Sequence, residues 1–252
     1  MEPAPQGNIK GAGFILAAFQ ACYAWVMTAS DPYLPLRQMM VQIIAAHTHA
    51  TREVTGLTAL DTRVLDAMLE VPRQEFVPAE IRAYAHSDGP LPIGWDKTIS
   101  QPFIAALMTE LLDVHPDHSV LEIGTGLGYH TAVLSRLAAK VFTVEIVEEL
   151  AEQATERLKS HGCTNVMRRI GNGYNGWPEH APYDRIIVAA APELIPPALI
   201  AQLKPGGRMV LPAGLNEAQQ LMVVDKSASG KLTTREVLAV RFAPMEGTEA
   251  PM

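Results

Sequence analysis

The chain has 252 residues, of which 48% are hydrophobic, enough for one sizeable α/β domain with a core and a small accessory layer. Lys and Arg total 20 against 27 Asp and Glu, a formal charge of −7, so no broad cationic surface is expected and nucleic acid is a poor candidate partner. The two cysteines, Cys22 and Cys163, have neither CxxC nor His-rich spacing, which argues against a disulfide framework and a metal site and favours the reducing cytoplasm.

The N-terminal region carries an apolar stretch, GFILAAFQACYAWVMTA, at residues 13–29. It is short for a membrane span and only loosely similar to a signal peptide, so export or membrane association is the minor alternative to a packing helix or a disordered extension. We expect residues 1–35 to be an extension of uncertain order and residues 36–252 to form a single domain. We expect a monomer with no stable membrane partner.

Residues 36–100 are predicted to form a layer of helices and loops. After a turn at residues 31–35, LRQMMVQIIAA has helical periodicity, and HTHATREVTG then looks like a loop in which His47 and His49 are solvated. LDTRVLDAMLEV predicts a second helix, with Asp61 as N-cap and Pro72 as stop signal. Residues 83–102, rich in proline and glycine, predict a long structured loop, a kind of segment that is usually functional.

From Ser100 onward the pattern changes to alternating strands and helices. Such alternation predicts a doubly wound, mostly parallel sheet, which a C-terminal antiparallel hairpin around the turn SASG would close. The predicted elements are, in order, the helix FIAALMTELL, the strand SVLEIG, the helix YHTAVLSRLAA, the strand KVFTVEI, the helix VEELAEQATERLKSHG ending at Gly162, the strand NVMRRIG, the loop GYNGWPEHAP, the strand YDRIIVAAA, the helix PPALIAQLK, the turn PGG, the strand RMVLPAG and the two strands of the hairpin.

The first βα unit contains the glycine-rich turn of VLEIGTGLGYHTAVLS, in which Gly124, Gly126 and Gly128 alternate. Such a turn lets the backbone pass close to a ligand beside the N-terminus of a helix. A dinucleotide fingerprint needs a third glycine at position 129, which is Tyr129 here. Glu122, two residues before the turn, would repel a phosphate and attract an ammonium group. These features favour a nucleoside with a cationic amino-acid part.

The second strand ends at Glu145, where a carboxylate can accept hydrogen bonds from both ribose hydroxyls. An adenosine with an amino-acid tail and no phosphate is S-adenosylmethionine, which we therefore expect as cofactor. The alternative is a plain strand-to-helix turn beside a surface charge, and the later GNG turn argues against it. The residues predicted to bind the cofactor are Glu122, Gly124, Thr125, Gly126, Gly128, Tyr129, Glu145, Ile146, Gly171, Asn172 and Gly173.

The chain also resembles the protein-L-isoaspartate O-methyltransferases, from about Leu36 to Gly247. Five blocks in the order of the family carry the resemblance: RVLDAMLEVPRQEFVP; LPIG followed by TISQPFIAALMTELL; VLEIGTGLGY; GNGYNGWPEHAPYDRIIVAAA; and PPALIAQLKPGGRMVLPAG. The resemblance implies a Rossmann-like methyltransferase fold, a substrate-side layer at residues 36–100 and a cofactor-binding core at residues 101–252.

The resemblance also implies an activity. Methyl transfer from S-adenosylmethionine to the free α-carboxylate of an L-isoaspartyl residue in a damaged protein gives an ester that collapses to a succinimide, which partly hydrolyses to aspartate. In the family the serine of the TIS block, here Ser100, is the residue usually marked as the active site. A carboxylate with a pKa near 4 is already a nucleophile at neutral pH, so positioning matters most. We assign that role to Ser100, Thr98 and the backbone N–H groups of residues 98–101. Ser100 could equally be the N-cap of the following helix.

Several residues depart from the usual pattern of the family. The GDG turn reads GNG, with Asn172 as an uncharged acceptor for the adenine amino group. Trp95, Asp96 and Lys97 replace a run that commonly holds glycine and glutamine, in the loop expected to meet the substrate, and HTHATREV looks inserted. His130 is interpreted as a residue at a helix start rather than a catalytic base.

These departures leave three alternatives. A related methyltransferase could act on another carboxylate, in a peptide or a small molecule. A binding protein could sense S-adenosylmethionine or isoaspartyl sites without catalysis. A nicotinamide-dependent dehydrogenase is disfavoured by Tyr129.

Overall fold

The computed structural model describes residues 31–215 and 217–247. The apolar stretch at residues 13–29 lies outside the described residues.

The first helix, α1 (Leu34–Ala50), begins inside the predicted extension, since a proline is accepted in the first turn of a helix. The guanidinium of Arg37 donates to the Asp31 carboxylate at 2.5 Å and to the Leu69 carbonyl at 2.9 Å. These bonds join residue 31 to the helical layer. No helix within the described ranges combines the length and the apolar character needed to cross a bilayer.

The predicted loop at HTHATREVTG is wrong, because α1 continues to Ala50 and a further helical turn, α2 (Arg52–Thr55), follows. The segment contains neither proline nor glycine before Gly56. The hydroxyls of Thr48 and Thr51 donate to the carbonyls of Ile44 and His47, one helical turn back. Gly56, with φ of 75°, then ends α2 in the left-handed conformation.

His47 is not merely solvated. Its Nδ1 lies 2.8 Å from Asp88 Oδ2, and its ring meets Phe103 edge to face, with 5.4 Å between the ring centroids. The helix α3 (Thr62–Glu70) forms as predicted, and the side chain of Asp61 accepts from the backbone N–H of Arg63. α1, α3 and the later helix α4 (Pro102–Leu112) contact one another and make the accessory layer.

The segment predicted as one long loop, residues 83–102, contains a hairpin. Two short 3₁₀ turns, Arg73–Phe76 and Ala79–Tyr84, precede it, and β1 (Leu91–Gly94) then pairs antiparallel with β2 (Lys97–Ile99). The connecting residues Trp95 and Asp96 have φ of 50° and 55°. Positive φ at both central residues gives a two-residue turn the twist that suits a hairpin. Sequence reasoning missed it because these positions usually hold Asn and Gly.

The main sheet has seven strands in the order β5-β4-β3-β6-β7-β8-β9. The strands β3 to β7 run parallel, as predicted, whereas β8 is antiparallel to both of its neighbours, so β9 again points in the direction of β7. The strands are β3 (Ser119–Ile123), β4 (Lys140–Glu145), β5 (Val166–Ile170), β6 (Tyr183–Val188), β7 (Leu203–Ala213), β8 (Gln219–Lys226) and β9 (Leu232–Val240).

Helices cross between the parallel strands and cover both faces of the sheet. They are α5 (Tyr129–Leu137), α6 (Glu148–Ser160) and the short α7 (Pro197–Gln202), with 3₁₀ turns at Gly173–Asn175 and Pro178–His180 in the predicted loop. One hydrophobic cluster joins the accessory layer to one face, and a second fills the other face. The predicted PGG turn is instead an irregularity within β7, which pairs Tyr183 with Leu203 and Arg185 with Arg208.

Candidate active site

A cavity of about 550 Å³ opens at the carboxyl edge of the parallel sheet, where ligands bind in doubly wound folds. Its volume lies within the range of pockets for small molecules and cofactors, about 300–1,000 Å³. Three parts of the chain meet there: the turn after β3 with the end of β4, the β1–β2 hairpin with the start of α4, and the segment after β9. The predicted site residues that line the cavity are Thr98, Ser100, Gly124, Thr125, Gly126, Tyr129, Glu145, Ile146 and Gly173.

The glycine turn takes a backbone shape that other residues tolerate poorly. Gly128 has φ of 93° and precedes α5 as its N-cap, and a Cβ there would lie 3.1 Å from Cγ of Leu158. Gly126 has φ of 55°, and a Cβ there would lie 3.2 Å from Cδ1 of Ile93 in the hairpin. The turn is therefore held close both to α6 and to β1. Gly124 and Gly126 line the cavity, whereas Gly128 does not.

Glu145 lies at the carboxyl end of β4, as predicted, and lines the cavity. Its Oε2 accepts from the N–H of Gly126 at 2.8 Å, and its Oε1 accepts from the N–H groups of Ile146 and Val147 at 2.9 and 3.0 Å. Two carboxylate oxygens offer about four lone-pair positions, so acceptor capacity is left for a ligand. The same carboxylate thus fixes the glycine turn and presents an anionic group to the cavity.

Glu122 is placed differently from the prediction. It is completely buried in β3 behind the glycine turn, is not among the residues that line the cavity, and accepts at Oε2 from the hydroxyls of Thr131 and Thr143 at 2.5 and 2.7 Å. No described residue bonds its Oε1. Burial raises the pKa of this carboxyl to about 7. In this structure the carboxyl does not line the cavity and reaches the glycine turn only through Thr143, whose hydroxyl lies 2.6 Å from that of Thr125.

The GNG turn contributes only its second glycine to the cavity wall. Gly173 lines the cavity, and a Cβ there would lie 2.4 Å from Cγ2 of Ile123. Gly171 and Asn172 do not line it, and Asn172 Oδ1 accepts from the N–H of Tyr174 at 3.0 Å, which caps a 3₁₀ turn. The predicted contact between Asn172 and the adenine amino group would need this side chain to turn toward the cavity.

Thr98 and Ser100 lie on the hairpin side of the cavity. Thr98 is exposed on β2 and Ser100 is half-buried just before α4. Ser100 is not a helix cap: the N-cap of α4 is Gln101, whose side chain makes no capping bond. No hydrogen bond within the described residues reaches Ser100 Oγ, so its hydroxyl is available to a ligand, whereas its carbonyl accepts from Arg73 Nη2 at 2.7 Å.

Sequence reasoning missed Arg73, which sits inside the block RVLDAMLEVPRQEFVP. Its side chain is fully buried, with Nε donating to the Ala85 carbonyl at 2.7 Å and the guanidinium 4.7 Å from the centroid of the Tyr129 ring. Burial lowers the pKa of Arg73, although an arginine stays protonated near neutral pH. The residue ties the turn at Ser100 to the chain before β1. Only the fold could reveal it, because its partners are backbone carbonyls.

His130 lines the cavity as the second residue of α5, in agreement with its interpretation as a residue at a helix start. Its Nε2 lies 2.8 Å from the hydroxyl of Thr109, which itself donates to the carbonyl of Ala105. Burial lowers the pKa of His130 to about 4, so the ring is neutral at pH 7. A neutral ring engaged with Thr109 is not needed as a base for a carboxylate nucleophile.

The end of β9 and the segment after it, together residues 239–246, form a third wall that sequence reasoning did not find. It crosses the carboxyl edge and is joined to the loop after β6, where Ala191 N–H donates to the Ala243 carbonyl at 2.9 Å and Met245 N–H donates to the Ala191 carbonyl at 2.8 Å. Glu246 pairs with Lys97 of the hairpin. Its sequence carries no local motif, so nothing short of the fold places it here.

A parallel sheet with a glycine-rich turn after β3 and a carboxylate at the end of β4 defines a Rossmann-like, nucleoside-binding protein of the methyltransferase type. A family model described as protein-L-isoaspartate(D-aspartate) O-methyltransferase matches residues 51–250. The chain belongs to this family, which confirms the resemblance seen in the sequence.

Individual relatives agree with this assignment. The chain is 57% identical over 223 residues to protein-L-isoaspartate O-methyltransferase 1 of Polaromonas sp. (strain JS666), covering 88% of this chain and 94% of the relative. It is 51% identical over 234 residues to protein-L-isoaspartate O-methyltransferase 2 of Syntrophobacter fumaroxidans, covering 92% and 95%.

Solved structures agree as well. A structure titled protein-L-isoaspartate O-methyltransferase superposes with a TM-score of 0.72 and 31% identity, over 84% of this chain and 66% of that one. A Plasmodium falciparum protein, titled as a putative protein-L-isoaspartate O-methyltransferase in complex with S-adenosyl-L-homocysteine, has a TM-score of 0.66 at 23% identity, over 74% and 91%. The second likeness supports the fold, which was predicted correctly.

Proposed function

We propose that this chain is a protein repair enzyme that transfers a methyl group from S-adenosylmethionine to the free α-carboxylate of L-isoaspartyl residues in damaged proteins or peptides. The observation that carries the proposal is the meeting of two walls in one cavity. The glycine turn and Glu145 form one wall, and Thr98 with the free hydroxyl of Ser100 forms the other. Membership of the family gives this arrangement its substrate.

The cofactor would be held by the first wall. S-adenosylmethionine supplies an electrophilic methyl group that needs no activation by the protein. Glu145 keeps acceptor capacity for ribose hydroxyls, and the backbone of Gly124, Gly126 and Gly173 allows a close approach because these positions carry no side chain. Glu122, Gly171 and Asn172 would contribute indirectly, by fixing the turns that make the wall. These roles are our proposal.

The second wall would orient the substrate. A carboxylate has an ordinary pKa near 4, so it arrives ionised and no proton has to be moved for methyl transfer. Ser100 Oγ and Thr98 Oγ1 can donate to one carboxylate oxygen and leave the other free to accept the methyl group. Positioning two reactants in line at about 3 Å can be worth several kcal/mol. The bond from Arg73 to the Ser100 carbonyl would keep this turn rigid.

Methyl transfer to two matched peptides tests the proposal. One peptide contains L-isoaspartate and the other L-aspartate at the same position, and the methyl group of S-adenosylmethionine is labelled. We expect base-labile methyl ester on the isoaspartyl peptide alone. Transfer to neither peptide, with cofactor binding verified by a thermal shift, would contradict the proposal. Equal transfer to both would contradict the specificity for isoaspartate.

We further propose that residues 36–252 act as one domain, divided into a substrate-side layer and a cofactor-binding core near residue 100. The continuous hydrophobic cluster that joins α1 and α3 to α5 and β3 supports a single unit. We also propose that the protein is a cytoplasmic monomer that does not bind nucleic acid. The formal charge of −7 argues against binding to nucleic acid, and the absence of paired cysteine motifs in the sequence accords with the cytoplasm. Analytical ultracentrifugation would test the oligomeric state.

A further inference from the structure

The charged side chains that line the cavity leave one cation without a partner. Glu145 is held by three backbone N–H groups, and Lys97 is paired with Glu246. His130 is neutral at pH 7. Arg241 lines the same cavity, is exposed, and makes no hydrogen bond or ion pair with any described residue. An unpaired guanidinium at the wall of a binding cavity is a candidate partner for an anionic group on a ligand.

The topology of the sheet places Arg241 on the side away from the cofactor wall. Arg241 follows directly after β9, and β9 runs in the same direction as β3, so both strands end at the carboxyl edge. The order β3-β6-β7-β8-β9 puts β9 four strand positions from β3. With neighbouring strands about 4.8 Å apart, this separation is about 19 Å. Arg241 is therefore far from the strand that carries the glycine turn.

The strands that α4 contacts give an approximate position for Ser100 across the sheet. Ser100 comes just before α4, and α4 packs on β6 and β7. Since β9 is two positions beyond β7, the separation across the sheet from the region of Ser100 to Arg241 is about 10 Å. An extended peptide advances about 3.4 Å per residue, so 10 Å corresponds to about three residues. A peptide whose isoaspartate lies at Ser100 would bring a nearby residue, and not the reacting one, within reach of Arg241.

We infer that Arg241 selects the sequence around the damaged residue by binding a carboxylate side chain, of Asp or Glu, within three residues of the isoaspartate. The inference rests on the proposed function, because it assigns one contact of the same peptide substrate. Contact with the reacting carboxylate itself fits poorly. A charge-assisted pair would stabilise that carboxylate as the reactant and lose strength as methylation removes its charge, which would slow the transfer.

A set of isoaspartyl peptides with neutral neighbours provides the test. A single Glu is placed in turn at each of the three positions on either side of the isoaspartate, and a matching peptide carries an uncharged Gln at the same position. For the unchanged protein we expect kcat/KM to be about two- to fivefold higher for Glu than for Gln at one position or more, the size of an exposed to partly exposed ion pair. Arg241→Gln should remove this preference, so that kcat/KM becomes the same for the Glu and the Gln peptide at every position.

Charge reversal and a matched control complete the experiment. Arg241→Glu should reverse the preference, so that a peptide with Lys at the selected position becomes the better substrate. Arg235→Gln removes the same charge from an exposed position of β9 that does not line the cavity, and it should leave the preference intact. Equal loss in both variants would indicate a general effect of net charge and would overturn the inference.

Three other results would overturn it. One is that, at each of the six positions, the ratio of kcat/KM for the Glu peptide to kcat/KM for the Gln peptide is the same in Arg241→Gln as in the unchanged protein. Another is a uniform fall in kcat/KM on every peptide, which would mean that Arg241 holds the reacting carboxylate. The third is a weaker affinity for S-adenosylmethionine in Arg241→Gln, which would place Arg241 at the cofactor. Failure of the unchanged protein to methylate any isoaspartyl peptide would instead reject the proposed function, and the inference with it.

Discussion

Replacing Glu122 with Gln is expected to remove a pH dependence from the stability of the fold. Burial raises the pKa of this carboxyl from 4.5 to about 7 in the folded chain, whereas in the unfolded chain it is solvated and keeps its ordinary value. Between these two values the folded chain holds a proton that the unfolded chain releases. The stabilisation is therefore fully present below pH 4.5 and is lost as the pH rises through 7.

The size of the effect follows from the same two pKa values. Raising the pKa from 4.5 to about 7 corresponds to about 3 kcal/mol in the free energy of unfolding, most of which is lost between pH 5 and pH 8. Glutamine in place of Glu122 keeps an oxygen that can accept from Thr131 and Thr143, and it does not titrate. The free energy of unfolding of the variant should lack this component.

Guanidinium denaturation at pH 5, 6, 7 and 8 measures this pH-dependent part of the free energy of unfolding. The stability of the unchanged protein minus that of Glu122→Gln should fall by about 2–3 kcal/mol from pH 5 to pH 8. Taking the difference cancels the titration of groups common to both proteins. Glu236→Gln, which removes a carboxylate from an exposed position of β9, is the matched control. Parallel pH profiles for the unchanged protein and Glu122→Gln would refute the reasoning, because they would mean that the buried carboxyl titrates as it does in water.

Three further predictions concern the cavity and the glycine turn beside it. Ser100→Ala should lower kcat/KM for an isoaspartyl peptide by about tenfold or more, the cost of a hydrogen bond to a charged group, and an unchanged rate would remove Ser100 from the site. The affinity of the Ser100→Ala variant for S-adenosylmethionine should equal that of the unchanged protein. Gly128→Ala should lower the free energy of unfolding by about 1–2 kcal/mol, because position 128 has φ of 93° and a Cβ there would lie 3.1 Å from Leu158. An unaltered melting temperature would contradict this. His130 should remain neutral above pH 5 because burial lowers its pKa to about 4, so its contribution to stability is lost as the pH falls from 6.5 toward 4. An imidazole NMR titration with a midpoint near 6.5 would contradict that assignment.

The order and type of the elements in the cofactor core could be predicted from the sequence. Runs such as SVLEIG and YDRIIVAAA are buried on both faces of a parallel sheet, so their apolar character is a local signal of their environment. The positions of Gly124, Gly126 and Gly128 carry a second local signal, because each has a positive φ that the turn requires. The cap at Asp61 is likewise a local bond, to a backbone N–H two residues away.

The substrate side was harder to predict because distant contacts decide its structure. In the added turns of α1, His47 contacts Asp88, which is forty-one positions away along the chain. The turn between β1 and β2 is formed by Trp95 and Asp96, two residue types that rarely adopt positive φ. Ser100 was predicted as a site residue, yet its position depends on Arg73, whose bonds go to backbone carbonyls. Backbone carbonyls leave no pattern in a sequence.

The sequence by itself thus determined the fold class, the family and the glycine turn at the cavity, since these depend on periodicity, on short motifs and on backbone conformation within a few residues. Only the tertiary structure decided which charges reach the cavity. It buries Glu122 behind the turn, ties Glu145 to three N–H groups, and brings Arg241 from the last strand to the cavity wall. The solvation and partners of a charge depend on all the elements packed around it, so they can be known only once those elements are in place.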